Sequence, residues 1–580
     1  MTKTKEFKKF SILSIVLMCL STIYTLLLLS FHADISILAF IISFVYIAIA
    51  FYLLGIQILK KTNGKHILAV SRLVEFMPYI FFISFILRRA GDKGTPFVYD
   101  LITVLLWFAI FILSIIVSRK FDSKRNKKIV EGWAVPPKED KPKGIARFFY
   151  EIGDWVYAII WAIFSVLIIQ IFVVQLYEIP SESMVPTFLV KDRVLVSKID
   201  CGPKFPLTDV GLPTFRKYKR GDTVVLRNPH YRLDRKSEVK TVTSQLVYML
   251  TFMTVNLNKD ENGNMKADPL VKRITGEPGE QLVMQDGVLY VRTKDSDDFV
   301  PSKIDAKYAM WNLNECRPEI YAKIQNPLFT NEDYQWMLDF EEERRNFNLD
   351  SAMLKVYEIV NEFNEIAAGQ ETKGTFEVPE SDHLSTGFFL NNCNDISYNV
   401  LTKEGGRKWF TDFMTSWIPS KDKDRDIYSE ANYKMDVMAK ITFGKLILRY
   451  CKVYVNDEDM SLLQNDLEFN ETFQRGVSLN FYIQQLLDSR NMPLFPANDE
   501  NGNPQYIPDN CYFMMGDNRF NSLDLRHDSK MTIKPLTEDD SMPIVYNSLM
   551  KPQYINKKYI IGKPIFKFWP PSRFGKIESR

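Results

Sequence analysis

Five long apolar stretches lie within the first 180 positions of this 580-residue chain, at roughly 10–31, 35–59, 73–87, 97–117 and 155–176. Nothing else in the sequence limits the fold so strongly. A segment that crosses a bilayer must satisfy its own backbone hydrogen bonds, so it is a helix of about 20 apolar residues. Four stretches meet that length. The third is shorter and carries Glu75 and Pro78, so it either re-enters or spans with help from its neighbours. The first opens on Lys3, Lys5, Lys8 and Lys9, as a signal peptide would. Its apolar core is too long for one, and no small-residue cleavage site closes it. It is expected to stay as a span.

Lys and Arg mark the loops that remain inside. The N-terminus is basic, and positions 119–147 hold ten Lys and Arg. Both segments are expected inside, joined by four crossings, and the fifth crossing then carries the chain out. Everything after about Glu178 is expected on the extracytoplasmic side. Arg88, Arg89 and Lys93 fall outside in this arrangement, against the bias.

Beyond the fifth stretch the pattern becomes that of a soluble protein. Short β-type runs occupy 193–197, 223–227, 281–284 and 288–292, with a turn at Asp286-Gly287, and a strand-pair region closes the chain at 559–569. Two intrusions interrupt them, at about 231–268 and 293–510. The larger has helix-period segments at 331–368 and 430–450. Asp-Glu-Asn-Gly-Asn occurs at 260–264 and again at 499–503. Its glycine is misplaced for a calcium loop, so both are expected to be turns. The formal net charge of +3 gives no bias toward nucleic acid. The six cysteines form no C-x-x-C pair and the five histidines show no ligand spacing, so no metal or other cofactor is expected.

Four segments carry chemistry. Residues 179–187 read Ile-Pro-Ser-Glu-Ser-Met-Val-Pro-Thr, and 220–225 read Arg-Gly-Asp-Thr-Val-Val. Residues 271–280 read Val-Lys-Arg-Ile-Thr-Gly-Glu-Pro-Gly-Glu, and 516–526 read Gly-Asp-Asn-Arg-Phe-Asn-Ser-Leu-Asp-Leu-Arg. A serine hydroxyl attacks only when a base takes its proton. None of the four segments contains a histidine. His527 lies just outside, so a Ser-His arrangement has no obvious base. A lysine can serve only when neutral, and an apolar site lowers its pKa from about 10.4. Lys272, beside Leu270, Val271 and Ile274 in a β-type run, suits burial.

Together, in this order and behind a membrane helix, the four segments resemble type I signal peptidases of the bacterial Ser-Lys type. The resemblance covers 178–229, 271–292 and 510–569, a minority of the chain. It implies Ser183 as nucleophile, Lys272 as general base, Ser181 as an oxyanion donor and Ser522 as the serine that orients the lysine. It implies Arg273, Asp517, Asp524 and Arg526 as ion-pairing residues that hold the site together. Phe520 stands where the family usually has Asp, Leu525 where it often has Ser, and the glycine that commonly follows Arg526 is absent. These departures bear on the packing behind the fourth segment.

The expected fold is therefore a multi-span α-helical membrane region followed by a mainly-β catalytic domain of signal-peptidase type, with an inserted, largely helical lobe. The expected division is 1–150 for the membrane region, 151–178 for the final anchor, 179–292 and 511–580 for the β core, and 293–510 for the lobe. The resemblance implies a membrane-bound serine endopeptidase that removes signal peptides from secreted pre-proteins. Its expected place is the inner (cytoplasmic) membrane, multi-pass, with the catalytic domain on the periplasmic side. Its partners would be signal-peptide-bearing pre-proteins and the lipid bilayer, with association to the secretion machinery left open and no nucleic acid. Two alternatives stand beside it: another Ser-Lys hydrolase on the same β core, and a catalytically altered membrane scaffold.

Overall fold

The computed structural model describes residues 5–29, 36–59, 64–89, 95–120, 143–228 and 268–577, with scattered positions between 240 and 257. Most of the basic segment at 119–147, most of the smaller intrusion and the turn at 260–264 lie outside the described residues.

Five helices open the chain: α1 (Lys5–Leu27), α2 (Ser36–Leu59), α3 (Gly64–Arg89), α4 (Phe97–Lys120) and α5 (Ile145–Phe172). All five are long and apolar enough to cross a membrane. The short third stretch belongs to a full-length helix, with an apolar window of 21 residues, Ala69–Arg89. Several of its polar groups are paired within the bundle, as burial in lipid favours. Glu75 accepts from Tyr157 Oη at 2.7 Å and Trp161 Nε1 at 3.0 Å. Arg72 pairs with Asp154 at 2.6 Å, and Trp107 Nε1 donates to the carbonyl of Pro78 at 2.8 Å. Arg89, expected outside against the charge bias, is buried and paired with Asp100.

Contacts between helices fix their sense. Arg72 meets Asp154, Phe76 meets Tyr157 and Tyr79 meets Phe164, so α3 and α5 run parallel. Tyr99 Oη donates to the Leu27 carbonyl at 2.5 Å and Arg88 Nε to the Leu28 carbonyl at 3.1 Å. The ends of α1 and α3 therefore lie together with the start of α4. Phe172, at the end of α5, joins them through Phe205 of the following domain. The chain's N-terminal end and its β domain thus sit at opposite ends of the bundle, as an odd number of crossings requires.

The fifth apolar stretch ends earlier than its composition suggests. The helix stops at Phe172, and Val174–Glu178 is strand β1, paired antiparallel with Arg193–Ser197 (β2). The β-branched Val173 and Val174 suit a pleated edge as well as a lipid-facing helix, and pairing with β2 decides between them. The remaining strands are β3 (Thr223–Leu226), β4 (Leu270–Gly276), β5 (Glu280–Gln285), β6 (Val288–Thr293), β7 (Val300–Pro301), β8 (Met492–Phe495), β9 (Cys511–Met515), β10 (His527–Pro535), β11 (Val545–Met550), β12 (Ile555–Asn556), β13 (Ile560–Trp569) and β14 (Gly575–Lys576). The main sheet runs β1-β2-β13-β3-β4-β9-β12, with β14 on β13, and is antiparallel. A second sheet runs β7-β6-β5-β8. The expected strand pair at 559–569 is one strand, β13. Its first half pairs with β3 and its second half with β2, with bulges that curl the sheet. Asp286 and Gly287, both at positive φ (53° and 76°), close β5 onto β6 as a two-residue turn.

Between β7 and β8 lie nine helices: α6 (Lys303–Tyr308), α7 (Pro318–Tyr321), α8 (Asn331–Asn346), α9 (Leu349–Ala367), α10 (Thr386–Thr402), α11 (Gly406–Thr415), α12 (Ile427–Val455), α13 (Leu467–Phe481) and α14 (Leu487–Arg490). The helical period at 331–368 breaks at Asn348, whose side chain accepts from Ser351 N at 2.8 Å and caps α9. Val356, Phe363, Phe389, Phe410, Phe443 and Leu446 form part of one core around α12. Leu536, Ile544 and Tyr546, from the β10–β11 region, complete that core. The chain rejoins the sheets at β8, which pairs with β5. At 499–503 the Asp499 carboxylate accepts from the backbone N–H groups of Asn501 and Asn503, a closed turn.

Candidate active site

Ser181, Glu182 and Ser183 occupy a turn just after β1. Val185 N donates to the Glu182 carbonyl at 3.1 Å and Phe188 N to the Met184 carbonyl at 2.9 Å, so the turn folds back on itself. Asn518 ties it to the fourth motif: its N–H donates to the Ser183 carbonyl at 3.1 Å and its side-chain amide to the Glu182 carbonyl at 3.2 Å. Thr187 Oγ1 donates to Asp517 at 2.5 Å.

Lys272 lies on β4, between β3 and β9, and is 2% exposed. Its ammonium nitrogen donates to Ser522 Oγ at 3.0 Å. Ser522 Oγ donates to Asp524 at 2.8 Å, and Asp524 also accepts from Gly516 N at 2.9 Å. Arg526 pairs with Asp524 at 2.9 Å. Arg273, the neighbour of Lys272, grips Asp517 through two bonds of 2.7 and 2.6 Å. Its guanidinium lies 3.7 Å from the centre of the Tyr308 ring. Gly516 sits where these parts converge. A Cβ there would collide with both Ser522 Oγ and the Ser183 carbonyl, so only glycine lets the two segments close.

Ser183 Oγ lies 3.4 Å from Ser181 Oγ. Among the described residues it has no direct hydrogen bond to Lys272. Gly516 lies between the Ser183 carbonyl and Ser522, the hydroxyl partner of Lys272, and catalytic hydrogen bonds commonly tighten only with substrate in place. The Glu182 carbonyl points at Asn518 and Val185, and a peptide plane sets its N–H opposite its carbonyl. The Ser183 N–H is therefore turned away from those partners, and among the described residues it donates to no protein group.

Burial pushes the Lys272 ammonium down to about 8. Asp524 works against that shift and Arg526 with it. Burial also opposes ionisation of Asp524, but Arg526 overcomes it and holds that carboxyl well below the usual range. His527 is lowered by burial and by Arg526. Its ring lies behind Asp524, with Nδ1 3.9 Å from that carboxylate and Nε2 3.3 Å from the Asp488 carbonyl. Among the described residues it hydrogen-bonds with neither Ser183 nor Lys272.

The structure thus brings Ser181, Ser183, Lys272, Ser522, Arg273, Asp517, Asp524 and Arg526 into one constellation from three distant segments. Sequence reasoning quoted Thr187, Gly516 and Asn518 within the motifs without giving them a part. Tyr308, from the helical insertion, left no signal at all. Phe520, where the family usually has Asp, packs edge-on against Trp311 at 5.1 Å and Phe329 at 4.8 Å. Its neighbour Arg519 pairs with Asp305 at 2.5 Å, so the insertion supplies the packing behind this segment. Leu525 is buried in the β core. Glu380, Asp382 and His383 are the described residues whose ligand atoms converge as metal donors would, and they are exposed on the helical lobe.

Residues 152–343 and 447–569, more than half of the chain, match the family described as Signal peptidase, peptidase S26. Among curated proteins, the chain is 26% identical over 279 residues to the Signal peptidase I of Buchnera aphidicola subsp. Acyrthosiphon pisum, covering 47% of this chain and 77% of that one. It is 39% identical over 71 residues to that of Buchnera aphidicola subsp. Schizaphis graminum, covering 12% and 23%. The match to the Pseudomonas aeruginosa Signal peptidase I is 32% over 128 residues, covering 21% and 43%.

Proposed function

The chain belongs to the signal peptidase family, peptidase S26, and on that premise we propose that it is a membrane-bound serine endopeptidase that removes signal peptides from secreted pre-proteins. Ser183 is the nucleophile and Lys272 the general base. The observation that carries this reading is the state of Lys272. It is buried, pushed down to about 8, and bonded to a hydroxyl rather than to a carboxylate. A base must be neutral to take a proton, and its ideal pKa lies near the working pH.

In the reaction, neutral Lys272 takes the Ser183 hydroxyl proton as Oγ attacks the scissile carbonyl. The oxyanion is received by the Ser183 N–H and the Ser181 hydroxyl, which stabilise the charge as it develops. Lys272 returns its proton to the leaving amine, and water then releases the acyl-enzyme. Ser522, held by Asp524, orients the lysine. The Arg273–Asp517 and Arg526–Asp524 pairs fix the strands that carry these groups.

The α1–α4 bundle and the α5 anchor hold the catalytic domain at the membrane, with residues after about Glu178 on the periplasmic side of the inner membrane. The division into a membrane region to 150, an anchor to 178, a two-part β core and an inserted lobe over 293–510 belongs to the same proposal. Its partners are pre-proteins and the bilayer, and the secretion machinery would deliver the substrate. Purified protein in detergent should cut a pre-protein after its signal peptide. A Lys272→Arg variant with wild-type rate would overturn the dyad, because guanidinium stays protonated. Reporters at about Lys138 and Asn399 that give the same signal would overturn the topology.

A further inference from the structure

Glu182 stands between the two serines of the turn, and its side chain is 5% exposed. Burying a carboxylate is costly unless it is hydrogen-bonded. Its donors come from one place, far along the chain. Gln325 N donates to Oε1 at 2.5 Å and the Asn326 side-chain amide to Oε2 at 3.2 Å. Among the described residues no Lys or Arg pairs with it. Gln325 and Asn326 belong to an exposed turn of the helical lobe that follows α7.

The same stretch of the lobe touches the turn again. Leu313 packs with the buried Val185 and Leu189, joined by Met310, Ile320 and Ile324. Met310 also bridges the fourth motif, with its N–H on the Asp517 carbonyl at 2.7 Å and its carbonyl accepting from Arg519 N at 3.1 Å. The lobe therefore lies directly on the back of the catalytic turn.

From this geometry, and resting on the function proposed above, we propose that Glu182 is a positioning residue through which the lobe's Gln325–Asn326 turn sets the oxyanion donor at Ser183. The Glu182 carbonyl belongs to the same planar peptide as the Ser183 N–H, so rotating one rotates the other. With its carboxylate held by the lobe, residue 182 is anchored at both side chain and backbone. Without those donors the carboxylate is stable only in water, and reaching water twists the peptide that presents the N–H. The lobe thus acts on the transition state, not on substrate binding, because the oxyanion exists only after attack.

The test uses the full-length protein in detergent on a purified pre-protein, with Ser183→Ala as control. Glu182→Ala is expected to lower kcat roughly tenfold to a hundredfold, somewhat less than loss of a whole oxyanion donor. KM should stay within about twofold and the midpoint of the activity–pH curve should not move, since Lys272 is untouched. Glu182→Gln keeps an acceptor for the Gln325 N–H and should recover most of the loss. Wild-type kcat in Glu182→Ala, or a loss confined to KM, overturns the proposal. Should Glu182→Ala fail to fold, Gln325→Pro removes the backbone donor at an exposed site; a several-fold fall in kcat supports the clamp and an unchanged kcat overturns it. If the wild-type protein cuts no pre-protein, or Ser183→Ala cuts as well, the proposed function itself falls. Activity that depends on Ser183 but is indifferent to Glu182 and Gln325 refutes only the clamp.

Discussion

Lys272 in the β core and Lys440 in the helical lobe are both almost completely buried, at 2% and 0% exposure. Their surroundings differ. Lys440, on α12, pairs with Asp540 and lies 3.9 Å from Asp436, and it donates to the Phe413 carbonyl at 3.0 Å and Ser416 Oγ at 2.7 Å. Lys272 has a single hydroxyl partner, and its nearest carboxylate influence, Asp524, is already taken up by Arg526. One region has built a compensated ion cluster that ties α12 to the chain beyond β10. The other keeps a lysine where its charge is unwelcome. Burial alone therefore does not ready a lysine to give up its proton; the withholding of a carboxylate partner does.

The same substitution at the two positions should have opposite effects, and four measurements can break the comparison. The largest effect is on activity. Lys272→Met should lower the cleavage rate by on the order of 10⁴-fold or more, as loss of a catalytic base does, whereas Lys440→Met should leave the rate of the folded enzyme near wild type. Next comes stability of the lobe. Lys440→Met strands Asp436 and Asp540 and should cost about 3–5 kcal/mol in denaturant titration; a smaller loss than 1 kcal/mol would mean the cluster is solvated.

Lys272→Met should instead stabilise. Lys272 titrates near 8 in the folded chain against an ordinary 10.5. Below about pH 8 both states carry the proton, and the folded state bears the full cost of the buried charge, on the order of 3 kcal/mol. Between the two values the unfolded chain holds more protons, so stability from this group rises with pH. Removing Lys272 should recover that stability near neutrality and flatten the slope; a variant less stable than wild type at pH 7 would sink this account. The smallest effect concerns the profile of activity. Cleavage should rise with pH through a midpoint near 8, and His527→Asn should move it by less than about half a unit, because the ring sits behind Asp524. A displaced or lost ascending limb in that variant would reopen His527 as the base.

Much of this was readable from the residues, and the reasons are local. Long apolar runs and period-2 strands declare themselves, and the motifs pick out residues that the fold brings together because each motif is a short contiguous string. The end of α5 was misjudged since Val173 and Val174 fit helix and strand alike, and only β2 chooses between them. What could not be read is non-local. Glu182 meets Gln325 across 143 positions, Lys440 meets Asp540 across 100, and Arg273 meets the Tyr308 ring from another segment. No spacing rule links such pairs, since they follow from how the lobe folds back on the sheets. Leu536, Ile544 and Tyr546 entering the lobe core could not be foreseen for the same reason.

Phe205 stands on a small loop closed by its own N–H to the Val210 carbonyl at 2.8 Å, and its ring is surrounded by Phe82, Phe85, Trp107, Phe108 and Phe172. A domain carried on one helix can tilt toward or away from the bundle. Phe205 gives this one a second attachment, to α3 and α4, which opposes that tilt and so holds Ser183 at one height above the bundle. On the proposed function, peptide bonds at that height are met without a search over tilt, a gain in effective concentration, and bonds nearer to or farther from the bundle are met less often. Lengthening the spacer between the apolar segment and the cleavage site of a pre-protein by three residues should then slow its processing in the wild type and much less in Phe205→Ala.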